Sequence, residues 1–125
     1  MLRKVYTTRR ATSSGPYSHA VDSGDYIFLA GQTARNSIED ENKELTIAEE
    51  TEECFKNLID VLREADLSLD NVVKVNVFLT SMKDFQEMNQ VYETKFKAPY
   101  PARTCVAVLE LPLGAKVEIE MIAKR

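Results

Sequence analysis

The chain has 125 residues and a formal net charge of −4, the length of one domain with enough chain to bury a real core. The acidic balance argues against a protein that grips phosphate backbones. Two cysteines and one histidine are too few for a zinc site, and no run approaches the roughly 20 apolar residues that span a bilayer. No metal site, nucleic-acid partner or membrane partner is therefore expected. The N-terminus lacks a secretory apolar segment, so a cytoplasmic location with reduced thiols is expected.

Residues 3–7 read as a short strand, with Arg3, Lys4, Arg9 and Arg10 making a solvated basic segment. Residues 12–17 form a loop punctuated by Ser13, Ser14, Gly15 and Pro16. Residues 18–22 and 26–31 read as a hairpin turning at Ser23-Gly24-Asp25. Residues 32–45 are polar and acidic and read as a surface loop. Thr46 then opens a helix. Thr46 and Glu49 have capping-box spacing, and Glu49, Glu50, Glu52 and Glu53 crowd the turns where the helix dipole favours negative charge. Ile47, Thr51, Cys54, Phe55, Leu58, Leu62 and Ala65 recur at helical spacing as the buried face, which makes Cys54 a core residue.

Residues 71–80 form a strand with Val73, Val75, Val77 and Leu79 on one face and Val72, Lys74, Asn76 and Phe78 on the other. A second helix spans 84–96 on the stripe Phe85, Met88, Tyr92 and Phe96. Asn89 shares that stripe, and a buried amide there is expected to tie down a neighbouring backbone or loop. Pro99 and Pro101 end the helix, and strands 103–109 and 115–123 follow around a turn at Pro112 and Gly114. The order β-β-β-α-β-α-β-β places two amphipathic helices on one face of one mixed sheet, an α+β fold. The other face, read to include Cys105, Ala107, Phe78 and Ile122, is too apolar for free exposure. It is expected to meet further copies of the chain in a closed oligomer.

In the fifth strand Arg103, Cys105 and Ala107 alternate with Thr104, Val106 and Val108. In the sixth, Lys116, Glu118 and Glu120 alternate with Val117, Ile119, Met121 and Ala123. A guanidinium near a carboxylate suits a small carboxylate substrate that needs a proton moved. A structural ion pair or a solvated strand face is the competing reading of the same pattern.

An ordered set of motifs resembles the RidA (YjgF) family of enamine/imine deaminases. It comprises Gly15-Pro16-Tyr17-Ser18, Gly31-Gln32, Asp84-Phe85 with Asn89 and Tyr92, Pro101-Ala102-Arg103, Cys105, Leu111-Pro112, Gly114 and Val117-Glu118-Ile119-Glu120. The resemblance runs nearly end to end. It implies a chorismate-mutase-like α+β domain over residues 1–125. It also implies a homotrimer whose sheets pack into a central barrel-like core, with clefts between adjacent subunits. The implied reaction is cofactor-independent hydrolysis of 2-aminoacrylate, 2-iminobutyrate and similar 2-enamine/2-imine acids, released by pyridoxal-phosphate enzymes, to 2-oxo acids and ammonia.

By the same resemblance, Arg103 binds the substrate carboxylate and Glu118 positions water and shuttles a proton. Tyr17, Gly31, Cys105 and Asn89 match further substrate-site positions, and Glu120 is a structural acid. With no histidine partner, Cys105 is not expected to be a nucleophile. His19 stands where members often carry glutamine and is expected at the surface or an interface. Ala30 stands where many active members have serine, which removes one hydrogen bond. A non-catalytic metabolite-binding trimer stays open as an alternative. So does an RNA-acting translation inhibitor or ribonuclease, although the acidic chain offers no aromatic-rich basic surface.

Overall fold

In the computed structural model, which describes residues 2–125, the elements follow as β1 (Lys4–Tyr6), β2 (Ala20–Asp22), β3 (Tyr26–Gln32), α1 (Ile47–Glu64), β4 (Val72–Leu79), α2 (Phe85–Tyr92), β5 (Ala102–Ala107) and β6 (Val117–Lys124). The strands form one mixed sheet in the order β1-β2-β3-β6-β4-β5. Every pairing is antiparallel except β4–β5, which are joined through α2. Strand β6 lies between β3 and β4, so α1 crosses over the strand that closes the chain.

Helix α1 starts as its cap predicts. Thr46 Oγ1 accepts from the Glu49 backbone N–H at 3.1 Å, and Glu49 Oε1 accepts from the Thr46 N–H at 2.9 Å. All seven residues of its expected apolar face are buried. Glu50 is buried with them, and its carboxylate accepts the Lys116 backbone N–H at 2.9 Å, which fixes the approach to β6. Helix α2 is shorter than its apolar stripe. Thr94 and Lys95 donate to Val91 and Tyr92 carbonyls, three residues back, and this tightening ends the helix at Tyr92. Phe96 still packs, with its ring 5.1 Å from Tyr92 and 5.9 Å from Phe55.

Two bulges redirect side chains that simple alternation misplaces. In β4 the register shifts between Val72 and Lys74, so Val72 is buried and Val73 is 40% exposed. Val73 therefore leaves the face expected for it. In β3, Leu29 pairs with Met121 and Gln32 with Ile119. Ala30 and Gly31 thus share the space opposite Glu120, and Gln32 turns into the core.

The segment expected to be a surface loop is partly interior. Gln32, Thr33, Ala34 and Asn36 are buried, and only the stretch from Glu39 to Glu44 is exposed. Several of the buried polar groups bond to one another, while Gln32 Nε2 and Asn57 Oδ1 are buried without a partner among the described residues. Asn36 Nδ2 donates to Gln32 Oε1 at 3.1 Å, Thr33 Oγ1 donates to Asn36 Oδ1 at 3.2 Å, and Asn57 Nδ2 donates to Ser37 Oγ at 3.0 Å. Of the basic N-terminal segment, Arg10 is anchored to Glu53.

Register also corrects the open face. Val77, fully buried, pairs with both Cys105 and Ile119, and Leu79 pairs with Ala107. Directly paired residues point the same way, so Cys105 and Ala107 lie on the helix-covered face. The open face carries Phe28 and Val106, 47% and 42% exposed, with half-buried Phe78 and Ile122 between polar residues.

Candidate active site

The residues around Glu118 form one half of the candidate site. Tyr17, Ala30, Gly31, Thr33, Asn36 and Glu118 line a cavity of about 210 Å³. Glu118 reaches it from β6 because it alternates with buried Val117 and Ile119. Burial pushes the Glu118 carboxyl above its ordinary range, and the nearby Glu120 charge adds to the effect. Glu120 itself accepts from Asn76 Nδ2 at 3.0 Å, a structural role. Gly31 is small for a specific reason: a Cβ there would lie 2.9 Å from Glu118 Oε1 and 3.0 Å from its Cδ. The close approach at Gly31 is thus to the Glu118 side chain.

Tyr17 overhangs this cavity from a braced loop. Its hydroxyl accepts the Ser14 N–H at 3.3 Å. His19, expected at the surface, is buried. The Thr8 N–H donates to its Nδ1 at 3.1 Å, so the proton sits on Nε2, which donates to Ser13 Oγ at 3.0 Å. Both ring nitrogens are occupied in holding the loop that carries Tyr17, which explains the burial.

The other half of the site gathers on α2 and β5. Arg103 Nη1 donates to Asn89 Oδ1 at 2.6 Å. Asn89 therefore holds the arginine and not a backbone or loop group. The guanidinium carbon lies 4.5 Å from the Tyr92 ring centre and 5.5 Å from that of Phe85. Among the described residues Arg103 makes no ion pair with a carboxylate. Cys105 is half-buried on the same face, and burial raises its thiol, with Arg103 opposing the shift. It is held as a thiol, the weak nucleophilic form. Phe85, Tyr92, Thr33 and Asn36 were not singled out as site residues. The spacing of Phe85, Asn89 and Tyr92 at i, i+4 and i+7 was the available signal for one shared face.

The two halves do not meet within one chain. Arg103 pairs with Val75 on the helix-covered face, whereas Glu118 pairs with Phe78 on the open face. The local guanidinium–carboxylate pair suggested by strand parity is absent, because identical alternation in two strands does not fix which face each side chain occupies. A larger cavity of about 580 Å³ lies beyond Asn36, beside Arg35, Glu39 and Leu113. Its arginine already donates to the Asp40 and Lys43 carbonyls, so the smaller cavity is the better-equipped site. Among the described residues no cluster of three metal-ligating side chains occurs, and no helix is long and apolar enough to cross a membrane.

The family model described as Endoribonuclease L-PSP matches residues 7–125. The mouse 2-iminobutanoate/2-iminopropanoate deaminase is 38% identical, covering 98% of this chain and 92% of the mouse protein. The crystal structure of RidA from Psychrobacter sp. PAMC 21119 superposes with a TM-score of 0.90 at 36% identity, covering 98% of this chain and 100% of that one. The chain belongs to the RidA family. The crystal structure of E. coli TdcF with bound serine superposes with a TM-score of 0.89 at 34% identity, covering 98% of both chains. The α+β arrangement described above is the RidA (YjgF) fold.

Proposed function

We propose that this chain hydrolyses small 2-enamine and 2-imine acids to 2-oxo acids and ammonia, in clefts where Arg103 of one copy meets the Glu118 cavity of the next. The observation that carries the reading is the division of labour across the sheet. A half-buried guanidinium held by a neutral amide lies on one face, and a carboxyl with a raised proton affinity lies beside a small cavity on the other. Such a pair is complete only between two copies. The apolar open face with Phe28 and Val106 supports the homotrimer that the family resemblance implies.

The residues account for each proton. Arg103 binds the substrate carboxylate through charge-assisted hydrogen bonds. Protonated Glu118 gives its proton to C3 of the enamine, which becomes an iminium ion, and Glu118 becomes a carboxylate. Water attacks C2 while the carboxylate takes a proton from it, giving a carbinolamine. Glu118 then protonates the amine nitrogen. The C–N bond breaks, ammonia leaves, and the hydroxyl proton returns to Glu118 as the carbonyl forms. The raised proton affinity of Glu118 favours the acid form that the first step uses. The name of the mouse relative supports this chemistry for the present chain.

Two observations favour other uses. The serine bound to TdcF supports the alternative that this cleft only binds small amino or 2-oxo acids. Ala30 in the cavity wall, with no hydroxyl to offer, is compatible with that alternative. The family description names an endoribonuclease, but a chain with a net charge of −4 offers little attraction for a phosphate backbone. The deciding experiment measures pyruvate or 2-oxobutyrate release from an enzymatically generated enamine, with and without the protein. Acceleration abolished by Glu118→Gln supports the deaminase. No acceleration, with 2-oxobutyrate still bound, establishes the binding protein instead.

A further inference from the structure

We infer that Phe85 and Tyr92 are positioning residues that, with Asn89, form a preorganised cradle for the Arg103 guanidinium and leave one of its edges free for a substrate carboxylate. This rests on the reading of Arg103 as the carboxylate anchor and goes beyond it by naming what sets the anchor's geometry. The three residues lie at i, i+4 and i+7 on one stripe of α2. Two supply ring faces, at 4.5 Å for Tyr92 and 5.5 Å for Phe85, and the third accepts from Nη1 at 2.6 Å. A planar, weakly hydrated guanidinium suits such stacking. With Nη1 committed to Asn89, the Nε–Nη2 edge is the pair of donors left for a side-on, two-bond grip.

Tyr92 acts here through its ring. Its hydroxyl is buried without a hydrogen-bond partner among the described residues. Burial also raises the phenol above its ordinary range, so it stays neutral and is not the counter-ion of Arg103. Tyr92 is itself fixed, edge-on at 5.9 Å to Phe55 in the core. The cradle therefore links the anchor to the rigid interior, and the arginine is ordered before substrate arrives. A flexible arginine would pay that ordering on binding.

The test uses the full-length protein, 2-oxobutyrate as the calorimetric ligand, and the deamination assay. Phe85→Leu and Tyr92→Leu each remove a ring face, and each is expected to weaken 2-oxobutyrate binding and raise KM by about 3- to 30-fold, with kcat retained. Tyr92→Phe keeps the ring face, so it should lose clearly less affinity than Tyr92→Leu. In an Arg103→Ala background the leucine substitutions should have no further effect on affinity, a non-additivity that general destabilisation does not produce. The Arg103 Nε–H proton resonance should carry a ring-current shift that the leucine variants reduce. Phe85→Leu, on a half-buried side chain, keeps the question open to refutation should Tyr92→Leu fail to fold. Unchanged affinity in folded Phe85→Leu, or equal losses with and without Arg103, overturns the cradle. Ring-current shifts that behave as expected, with Arg103→Ala binding 2-oxobutyrate normally, would instead overturn the anchor role and leave the cradle as a structural feature.

Discussion

If Arg103 and Glu118 act together only across an interface, two inactive variants should repair each other. Arg103→Ala strips the carboxylate anchor, a loss of about 2–5 kcal/mol for a truncated partner in a buried charge pair, or about 30- to 4000-fold in rate. Glu118→Gln keeps the side-chain shape and removes proton transfer, a loss of about 10²- to 10⁴-fold. Arg103 and Glu118 lie on opposite faces of the sheet, paired with Val75 and Phe78 respectively. Each site in a ring would then take its arginine from one chain and its acid from the next. In a random equal mixture, about one site in four receives both intact residues, whatever the size of the ring. Co-refolding the two variants should therefore restore about a quarter of wild-type turnover, far above either parent. The assay is 2-oxobutyrate release, with native mass spectrometry confirming mixed oligomers. If both residues served one site within a single chain, every site in the mixture would carry a defect. Mixed oligomers without recovered turnover would refute the shared site.

Further expectations concern neighbouring groups. Gly31→Ala places a Cβ against the Glu118 carboxyl; the side chain should swing away while the fold holds, and turnover should fall by about 100-fold, the scale of a 1 Å misplacement, with an unchanged melting temperature. Glu120→Gln removes the neighbouring charge that helps raise Glu118, so the Glu118 titration midpoint, followed by carboxyl-carbon NMR, should move to lower pH; a move upward would contradict the cause assigned. Asp22, held by Arg125 and by the Gly24 N–H, is depressed from 3.8 to about 2. Its stabilisation is present above pH 4 and lost as pH falls towards 2, so Asp22→Asn should flatten the fall in stability across that window in acid denaturation.

Much of this protein was legible in the chain. The Thr46–Glu49 box, the helical spacing of Ile47 to Ala65 and the strand alternation around Glu118 follow from local rules that need no distant partner, and the structure has them. The arginine and the glutamate were visible as residue types with a shared chemistry. What the chain alone left open was direction. Alternation says that Arg103 and Cys105 share a face, but only pairing with Val75 and Val77 says that it is the covered one. The bulge at Ala30-Gly31 turns Gln32 inward, and the register shift at Val72 sends Val73 out. A one-residue change in register reverses every side chain beyond it. The buried roles of His19 and Glu50 depend on donors outside their own elements, the Thr8 and Lys116 backbone N–H groups. Local pattern set which elements form. Long-range pairing decided which way the functional side chains point, because a strand has two faces and only its neighbours determine which one is inside.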